Sequence, residues 1–229
     1  MNGAGQMTRI IIFDVDSTLL AVESLDFAVE QSLSRKPGGK AQAAELAEIT
    51  SRGMAGALDF RQSLEQRIAM APLSQREIMM ISVHLAEMLT PGMFELTRAL
   101  RAKGQSLYAV SGGFIELLGP ALATLGFMPG DVRCNRFEYD EAGLVNGFDR
   151  ENPLSRSGGK AVAVRALKTL ANASTAVMVG DGMTDYEAFA DGAADAFIGF
   201  GGVVRREPVA ARAPAFANSV DELAGLLGV

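Results

Sequence analysis

The chain has 229 residues, 48% of them hydrophobic, and a formal net charge of −6. That length buries one full core with room for an inserted subdomain, and the absence of any apolar run near about 18 residues argues against a membrane protein. The acidic balance disfavours nucleic acid and anionic membranes as partners, because both need a positive surface, while leaving a local positive pocket for a small anion compatible.

Residues 1–7 are glycine-rich, lack the apolar core of a signal peptide, and are expected to be frayed. Ile10-Ile11-Ile12-Phe13 is a continuous apolar run that suits a strand buried on both faces. The polar stretch Asp14-Val15-Asp16-Ser17-Thr18 begins where that strand should end. Alternate residues of an extended segment point the same way, so Asp14 and Asp16 lean into one site. From about residue 22 to 89 no strand pattern is found, and Leu25, Val29 and Leu33 recur at helical spacing. Lys36-Pro37-Gly38-Gly39 breaks this region once, and Ser74 is a plausible N-cap for a later helix. Three or four short helices here are expected to form a compact bundle inserted between the first strand and the rest of the sheet.

Alternation of strand and helix begins after Pro91. Pro91-Gly92 opens a helix to about residue 103, and residues 106–110 read as a strand ending at Ser111-Gly112-Gly113. A helix to about residue 125 follows. Residues 133–148 form short alternating segments around Asp140-Glu141-Ala142-Gly143, the pattern of a hairpin flap. Gly158-Gly159 opens a helix carrying Lys160. Residues 176–179 read as a buried strand ending at Gly180-Asp181-Gly182, with a helix from near Thr184. Residues 194–198 give another strand, Gly199-Phe200-Gly201-Gly202 a loop, and residues 220–227 an amphipathic helix. The fold class implied is α/β, a parallel sheet with helices on both faces. Cys134, the lone cysteine, permits no internal disulfide or thiolate metal cluster and reads as a small apolar filler, which fits a reducing, cytoplasmic setting.

Right-handed crossovers place all parallel strand ends on one side. Asp14 with Asp16, Ser111 with its two glycines, Lys160, and Asp181 with Asp185 therefore converge. Carboxylates around one cavity form a hard-oxygen environment suited to Mg²⁺. Ser111 offers a hydroxyl, with backbone N–H donors beside it, as an anion site at a helix N-terminus. Lys160 adds a compact positive charge suited to phosphate. Phosphoryl transfer is mostly positioning and charge neutralisation, and this inventory supplies both. Each piece taken alone reads as a turn, a loop or a solvated helix residue. Their order, each at an expected strand end, makes coincidence the poorer account.

The chain resembles the haloacid-dehalogenase (HAD) superfamily of phosphatases. The resemblance is carried by Asp14-Val15-Asp16-Ser17-Thr18, Ser111-Gly112-Gly113-Phe114, Lys160 and Gly180-Asp181-Gly182-Met183-Thr184-Asp185. Within it the chain is similar to the phosphoserine phosphatase branch. That similarity rests on the segment from Met54 through Phe60 to Arg67, on Leu89-Thr90-Pro91-Gly92, on Ser157-Gly158-Gly159-Lys160, and on Ala194-Asp195-Ala196-Phe197-Ile198-Gly199-Phe200-Gly201-Gly202. The resemblance implies a Rossmann-like, HAD-type core over residues 1–20 and 90–229, a helical cap over 21–89 acting as a substrate lid, and a β-hairpin flap. It also implies Mg²⁺-dependent hydrolysis of L-phosphoserine, the last step of serine biosynthesis.

By the same resemblance Asp14 is the nucleophile and Asp16 the general acid and base. Mg²⁺ is held by Asp14, the Asp16 backbone carbonyl and Asp181, with Asp185 binding directly or through an ordered partner. Ser111, the Gly112 N–H and Lys160 bind the phosphoryl oxygens, and Thr18 and Thr184 supply supporting hydroxyls. Glu23 matches the position for the substrate ammonium and Arg67 that for its carboxylate, with Met54 and Phe60 walling the pocket. Asp59 is expected to add negative charge near that pocket, and Ile115 stands where relatives often carry arginine. His84 is expected to be a helix residue with no catalytic role. Two other readings are weighed: action on another small phosphomonoester, including phosphotransfer to an alcohol, and a non-catalytic phospho-receiver. The partner expected is a small-molecule substrate, with no nucleic acid and no membrane.

Overall fold

The computed structural model describes residues 8–34, 39–54 and 57–229. The frayed start and the helix break read at Lys36-Pro37-Gly38 lie outside these residues, as do Ala55 and Gly56. Six parallel strands form the main sheet, in the order β3-β2-β1-β6-β7-β8. They are β1 (Arg9–Phe13), β2 (Ser106–Phe114), β3 (Val132–Asn135), β6 (Thr175–Gly180), β7 (Ala196–Phe200) and β8 (Ala215–Ala217). The chain runs outward from β1 to β3 on one side and from β6 to β8 on the other. The order therefore reverses between β1 and β6, which is where an open α/β sheet makes its ligand crevice.

The apolar run of β1 is wholly buried because both faces are covered. Ile11 and Phe13 pack on one side with α5 (Met93–Ala102), α6 (Ile115–Thr124) and α10 (Val220–Leu227). Ile10 and Ile12 pack on the other with α7 (Gly159–Leu170), α8 (Met183–Ala190) and the short α9 (Glu207–Ala210). This alternation is the two-residue period of a strand. Among the described residues no helix is long and apolar enough to cross a membrane.

Between β1 and α5 lies the helical cap region: α1 (Ser24–Leu33), α2 (Gly39–Met54), α3 (Phe60–Ala69) and α4 (Gln75–Leu85). Leu25, Val29 and Leu33 all face its interior. Ser74 caps α4 in a reciprocal box with Glu77. His84 stacks on Phe27, with ring centroids 5.6 Å apart. The cap's apolar cluster takes in Phe114 and Leu117 from the sheet edge and Phe137 and Phe148 from a hairpin, so cap and core share one interior there. That hairpin pairs β4 (Phe137–Tyr139) with β5 (Val145–Phe148), and Asp140 Oδ1 turns the chain by accepting from the N–H groups of Ala142 and Leu144.

Several boundaries differ from the sequence expectations. Strand β2 does not stop before Ser111 but runs on to Phe114, with its register against β3 shifting between Val110 and Phe114. Ser111-Gly112-Gly113 fall inside this irregularity, between the paired Val110 and Phe114. Residues 133–135 belong to the main sheet and not to the flap, because parallel pairing with β2 claims them first. The strand expected at 194–198 lies two residues later, and β8 and α9 were not anticipated, being only three and four residues long.

Candidate functional site

Everything reactive gathers at the carboxyl ends of β1, β2 and β6. The ladder extends one residue past β1, where the Asp14 N–H donates to Val179 O at 2.8 Å. Asp16 then turns extended, with ψ 137°, and Ser17 adopts a left-handed conformation, with φ 52°. A non-glycine residue seldom sits there, and such strain concentrates at working loops. Ser17 is held by its N–H on Val22 O at 3.1 Å and by its hydroxyl on Glu23 Oε1 at 2.8 Å. From this kink Asp16 reaches the start of α1, where its Oδ1 accepts the Ser24 N–H at 2.8 Å.

Asp14 is buried, and Lys160 reaches it from the first turn of α7 at 2.7 Å. The same ammonium is 2.6 Å from Asp185, whose other oxygen accepts the Gly182 N–H at 3.0 Å. Carboxylate oxygens of Asp14, Asp181 and Asp185 all lie within 4.8 Å of one another. That matches the span of oxygens around one hard cation, about 4–5 Å. The charge balance fits as well. Buried Asp14, Asp181 and Asp185, with Asp16 and Glu23 beside them, outnumber Lys160 and Arg206, an excess of negative charge that a divalent cation would offset.

That excess shows in proton affinities. Burial, then the charges of Glu23 and Asp14, push Asp16 up to about 7. Burial and Asp14 push Asp185 up to about 7 despite Lys160. Asp181 and Glu23 are also raised, chiefly by burial. Burial alone would lower Lys160, but Asp14 and Asp185 outweigh it and hold the ammonium charged. The Cys134 thiol is pushed up by burial and is no nucleophile at neutral pH.

One cavity collects Asp14, Asp16, Glu23, Met54, Phe60, Arg67, Ser111, Gly112, Lys160 and Thr184, and measures about 20 Å³. That is room for roughly one water, so the cap is closed down over the site. Asp181 and Asp185 stand outside the lining and join it through Arg206 and Lys160. The Phe60 ring lies against Gly112, where any Cβ would strike it. Asp16 Oδ2 approaches Gly113 so closely that a Cβ there would sit 2.6 Å from it. Both glycines are close-approach positions and not merely turn residues. The Ser111 hydroxyl accepts the Gly113 N–H at 2.8 Å, which bends the loop around the cavity. Thr18, two residues after Asp16, is fully buried and its hydroxyl has no partner.

Sequence reasoning did not name three of the polar groups here. Arg206 Nε is 2.7 Å from Asp181 Oδ2, and its Nη2 is 3.1 Å from Glu23 Oε1, so it bridges the metal-type cluster to the cap. Asp26 is 2.7 Å from Arg67 Nε. Asn135, 0% exposed, donates to Gly112 O at 2.8 Å and to Leu154 O at 3.0 Å. Asp26 was findable, since it lies three residues after Glu23 on the same helix face. Asp59 corrects an expectation. It is exposed and its side chain caps α3 by accepting the Gln62 N–H at 3.1 Å, which directs its charge to the helix end and not into the pocket. Ile115 packs against the sheet-side core.

Residues 11–190 match the haloacid dehalogenase-like hydrolase family. Over 89% of its length the chain is 37% identical to the chloroplastic phosphoserine phosphatase of Arabidopsis thaliana, and the match covers 66% of that protein. It is 36% identical over 95% of its length to the phosphoserine phosphatase of Mus musculus, covering 92% of that protein. Among solved structures, a phosphoserine phosphohydrolase-like protein from Francisella tularensis subsp. tularensis SCHU S4 is 32% identical with a TM-score of 0.87, over 96% of this chain and 99% of that one.

Proposed function

The chain belongs to the haloacid dehalogenase-like hydrolases as a homologue of the phosphoserine phosphatases, and on that footing we propose that it hydrolyses L-phosphoserine to serine and phosphate. The observation that carries the reading is that Glu23 and Arg67 line the same closed cavity as Asp14, Asp16, Ser111 and Lys160. Beyond its phosphate a serine phosphate presents an ammonium and a carboxylate, which an acid and a guanidinium would bind.

Asp14 attacks phosphorus. Lys160 holds one of its oxygens and leaves the other to form the Asp14–phosphorus bond as the serine oxygen–phosphorus bond breaks. Asp16, which its buried and anionic surroundings raise to about 7 so that a large fraction carries a proton near neutral pH, gives that proton to the departing serine oxygen. It then takes a proton from the water that attacks phosphorus, releasing phosphate and restoring Asp14. Ser111, the Gly112 N–H and Lys160 stabilise the charge on the transferring group. Asp14, Asp181, the Asp16 carbonyl and Asp185 would hold Mg²⁺, which supplies charge neutralisation to the phosphoryl oxygens.

Residues 21–89 serve as the lid, with 1–20 and 90–229 the catalytic core. Closing the lid dries the site, which strengthens each of these interactions. A reducing, cytoplasmic compartment suits the free Cys134. The test is phosphate release from a panel of phosphomonoesters with Mg²⁺ or with chelator. The reading expects Mg²⁺-dependent release with phosphoserine preferred, abolished by Asp14→Asn. It fails if phosphoserine is not hydrolysed.

A further inference from the structure

The cap is fastened to the core at a point remote from the reacting groups. Arg61 follows Phe60 on α3, and its guanidinium leaves the cap entirely. Nη2 donates to Arg150 O at 2.9 Å and to Ser155 Oγ at 3.0 Å, while Nε donates to Ser155 O at a longer 3.4 Å. Glu65, one helical turn further along α3, pairs with Arg150 at 2.6 Å. That pair is exposed on both sides and adds little. Ser155 is fully buried, so the bonds from Arg61 are the stronger part of the attachment.

The segment Arg61 grips, residues 150–155, is held from its other side by Asn135, which joins Leu154 O to Gly112 O. Gly112 in turn supports the Phe60 ring. A continuous set of contacts thus runs from Arg61 through residues 150–155 and Asn135 to the loop carrying Ser111. It returns through Phe60 to the residue next to Arg61. Arg61 and Asn135 themselves lie outside the cavity lining, and only the Ser111 loop and Phe60 reach it. An ammonium at this position offers its three donors from one nitrogen, whereas the fork of an arginine reaches two separated backbone carbonyls and a hydroxyl.

We propose that Arg61 is a positioning residue that latches the cap shut, and that Asn135 passes this closure to the phosphate-binding loop. The substrate it positions is the phosphoserine of the preceding section, and the proposal rests on that reading for its kinetic arm only. In the open state the acceptors at Arg150 and Ser155 return to water. In the closed state Arg61 satisfies them and seats Phe60 over Gly112. Losing the latch weakens capture of a substrate that needs the cap residues Glu23 and Arg67. A phosphate ester with no such groups loses only what closure adds at the Ser111 loop, a smaller effect.

The test compares the full chain with Arg61→Ala and Arg61→Lys. Arg61→Ala should raise KM for phosphoserine about tenfold, the loss expected for one or two charge-assisted hydrogen bonds. Arg61→Lys should recover only part of it, and kcat/KM for p-nitrophenyl phosphate should stay within about twofold. Hydrogen exchange without any substrate gives an independent reading. Amides of α3 and of residues 150–155 should exchange about tenfold faster in Arg61→Ala, with β1 and β6 unchanged. Wild-type KM together with wild-type exchange in α3 overturns the latch. Equal losses on both substrates with faster exchange in β1 also overturn it, by making Arg61 a residue of the fold. If the wild-type protein does not hydrolyse phosphoserine yet Arg61→Ala still loosens α3 alone, the substrate reading fails and the latch stands.

Discussion

Stability of the metal-free protein should fall as pH rises from 5 to 8, the reverse of what acid-labile ion pairs produce. Asp16 and Asp185 titrate near about 7 in the folded chain, against 3.8 for an ordinary aspartate. Below about pH 4 folded and unfolded chains are both protonated at these positions. Between there and 7 the folded chain keeps protons that the unfolded chain has released, so stability declines as pH passes through the folded values. Each such carboxyl loses about 1.4 kcal/mol per pH unit in that window. Two of them give a decline on the order of 3–5 kcal/mol, or roughly 10 °C in Tm for a domain of this size. Asp195 is shifted the other way: burial raises it, but Lys168 and backbone donors together outweigh that and lower it, and Asn218 lowers Glu222. Their stabilisation is lost only as pH falls toward the acid range, while Glu30 and Glu116, raised chiefly by burial outside the site, add to the decline in the same direction, so it is the Mg²⁺ response that reports on the site. Thermal unfolding in chelator at pH 5, 6, 7 and 8, repeated with saturating Mg²⁺, is the assay. The cation should flatten the decline by replacing protons, and its stabilising increment should be larger at pH 8 than at pH 5. A chelated Tm that is flat or rising across this range would refute the charge balance derived for the site. So would a larger Mg²⁺ increment at pH 5.

Two further substitutions test the cap pocket and the bridge to the metal-type cluster. Arg67→Ala should raise KM for phosphoserine at least about tenfold and spare an aryl phosphate, and it should also lower Tm because Asp26 loses its partner. Adding Asp26→Asn should restore Tm without restoring KM. Arg206→Ala should lower the Tm measured in chelator by the equivalent of about 3–5 kcal/mol, since buried Asp181 and Glu23 both lose their guanidinium. The Mg²⁺-induced rise in Tm should grow in the same variant, and an unchanged rise would show that the bridge does not feel the cation.

Elements with a strong local signal were readable, and those held by tertiary pairing were not. β1 and β6 are unbroken apolar runs that end at aspartates, so their place at the sheet centre followed from burial on both faces. The capping box at Ser74 and the amphipathic C-terminal helix carry their own punctuation. By contrast β8 has three residues, Ala215–Ala217, and no alternation to detect. Only its pairing with β7 makes it a strand. Residues 133–135 alternate as a hairpin arm would, and their assignment turned on which neighbour paired with them. The extension of β2 through Ser111-Gly112-Gly113 was hidden for a related reason. Two glycines look like a turn, yet here they let Phe60 and Asp16 come close to a backbone that remains in the sheet.

Within the site the same division separates acids from cations. Asp14, Asp16 and Asp181 follow strand ends and Asp185 stands in the first turn of α8, so backbone topology alone delivers them to one edge. Arginine hides its destination, because a long side chain can cross a domain boundary from a loop with no distinctive pattern. Arg205 and Arg206 are adjacent, yet Arg205 lies over the Phe216 ring at 4.9 Å and pairs with Glu207, while Arg206 turns inward to Asp181 and Glu23. What fixes the choice is uncompensated charge. A pocket crowded with buried carboxylates cannot stay ionised without nearby cations, and the strand-end motifs supply only Lys160. Counting carboxylates against cations in the motifs would therefore have called for another basic residue before any coordinate was seen. It could not have said which one, and it would not have found Arg61, whose acceptors are backbone carbonyls and a hydroxyl and so leave no trace in a charge count.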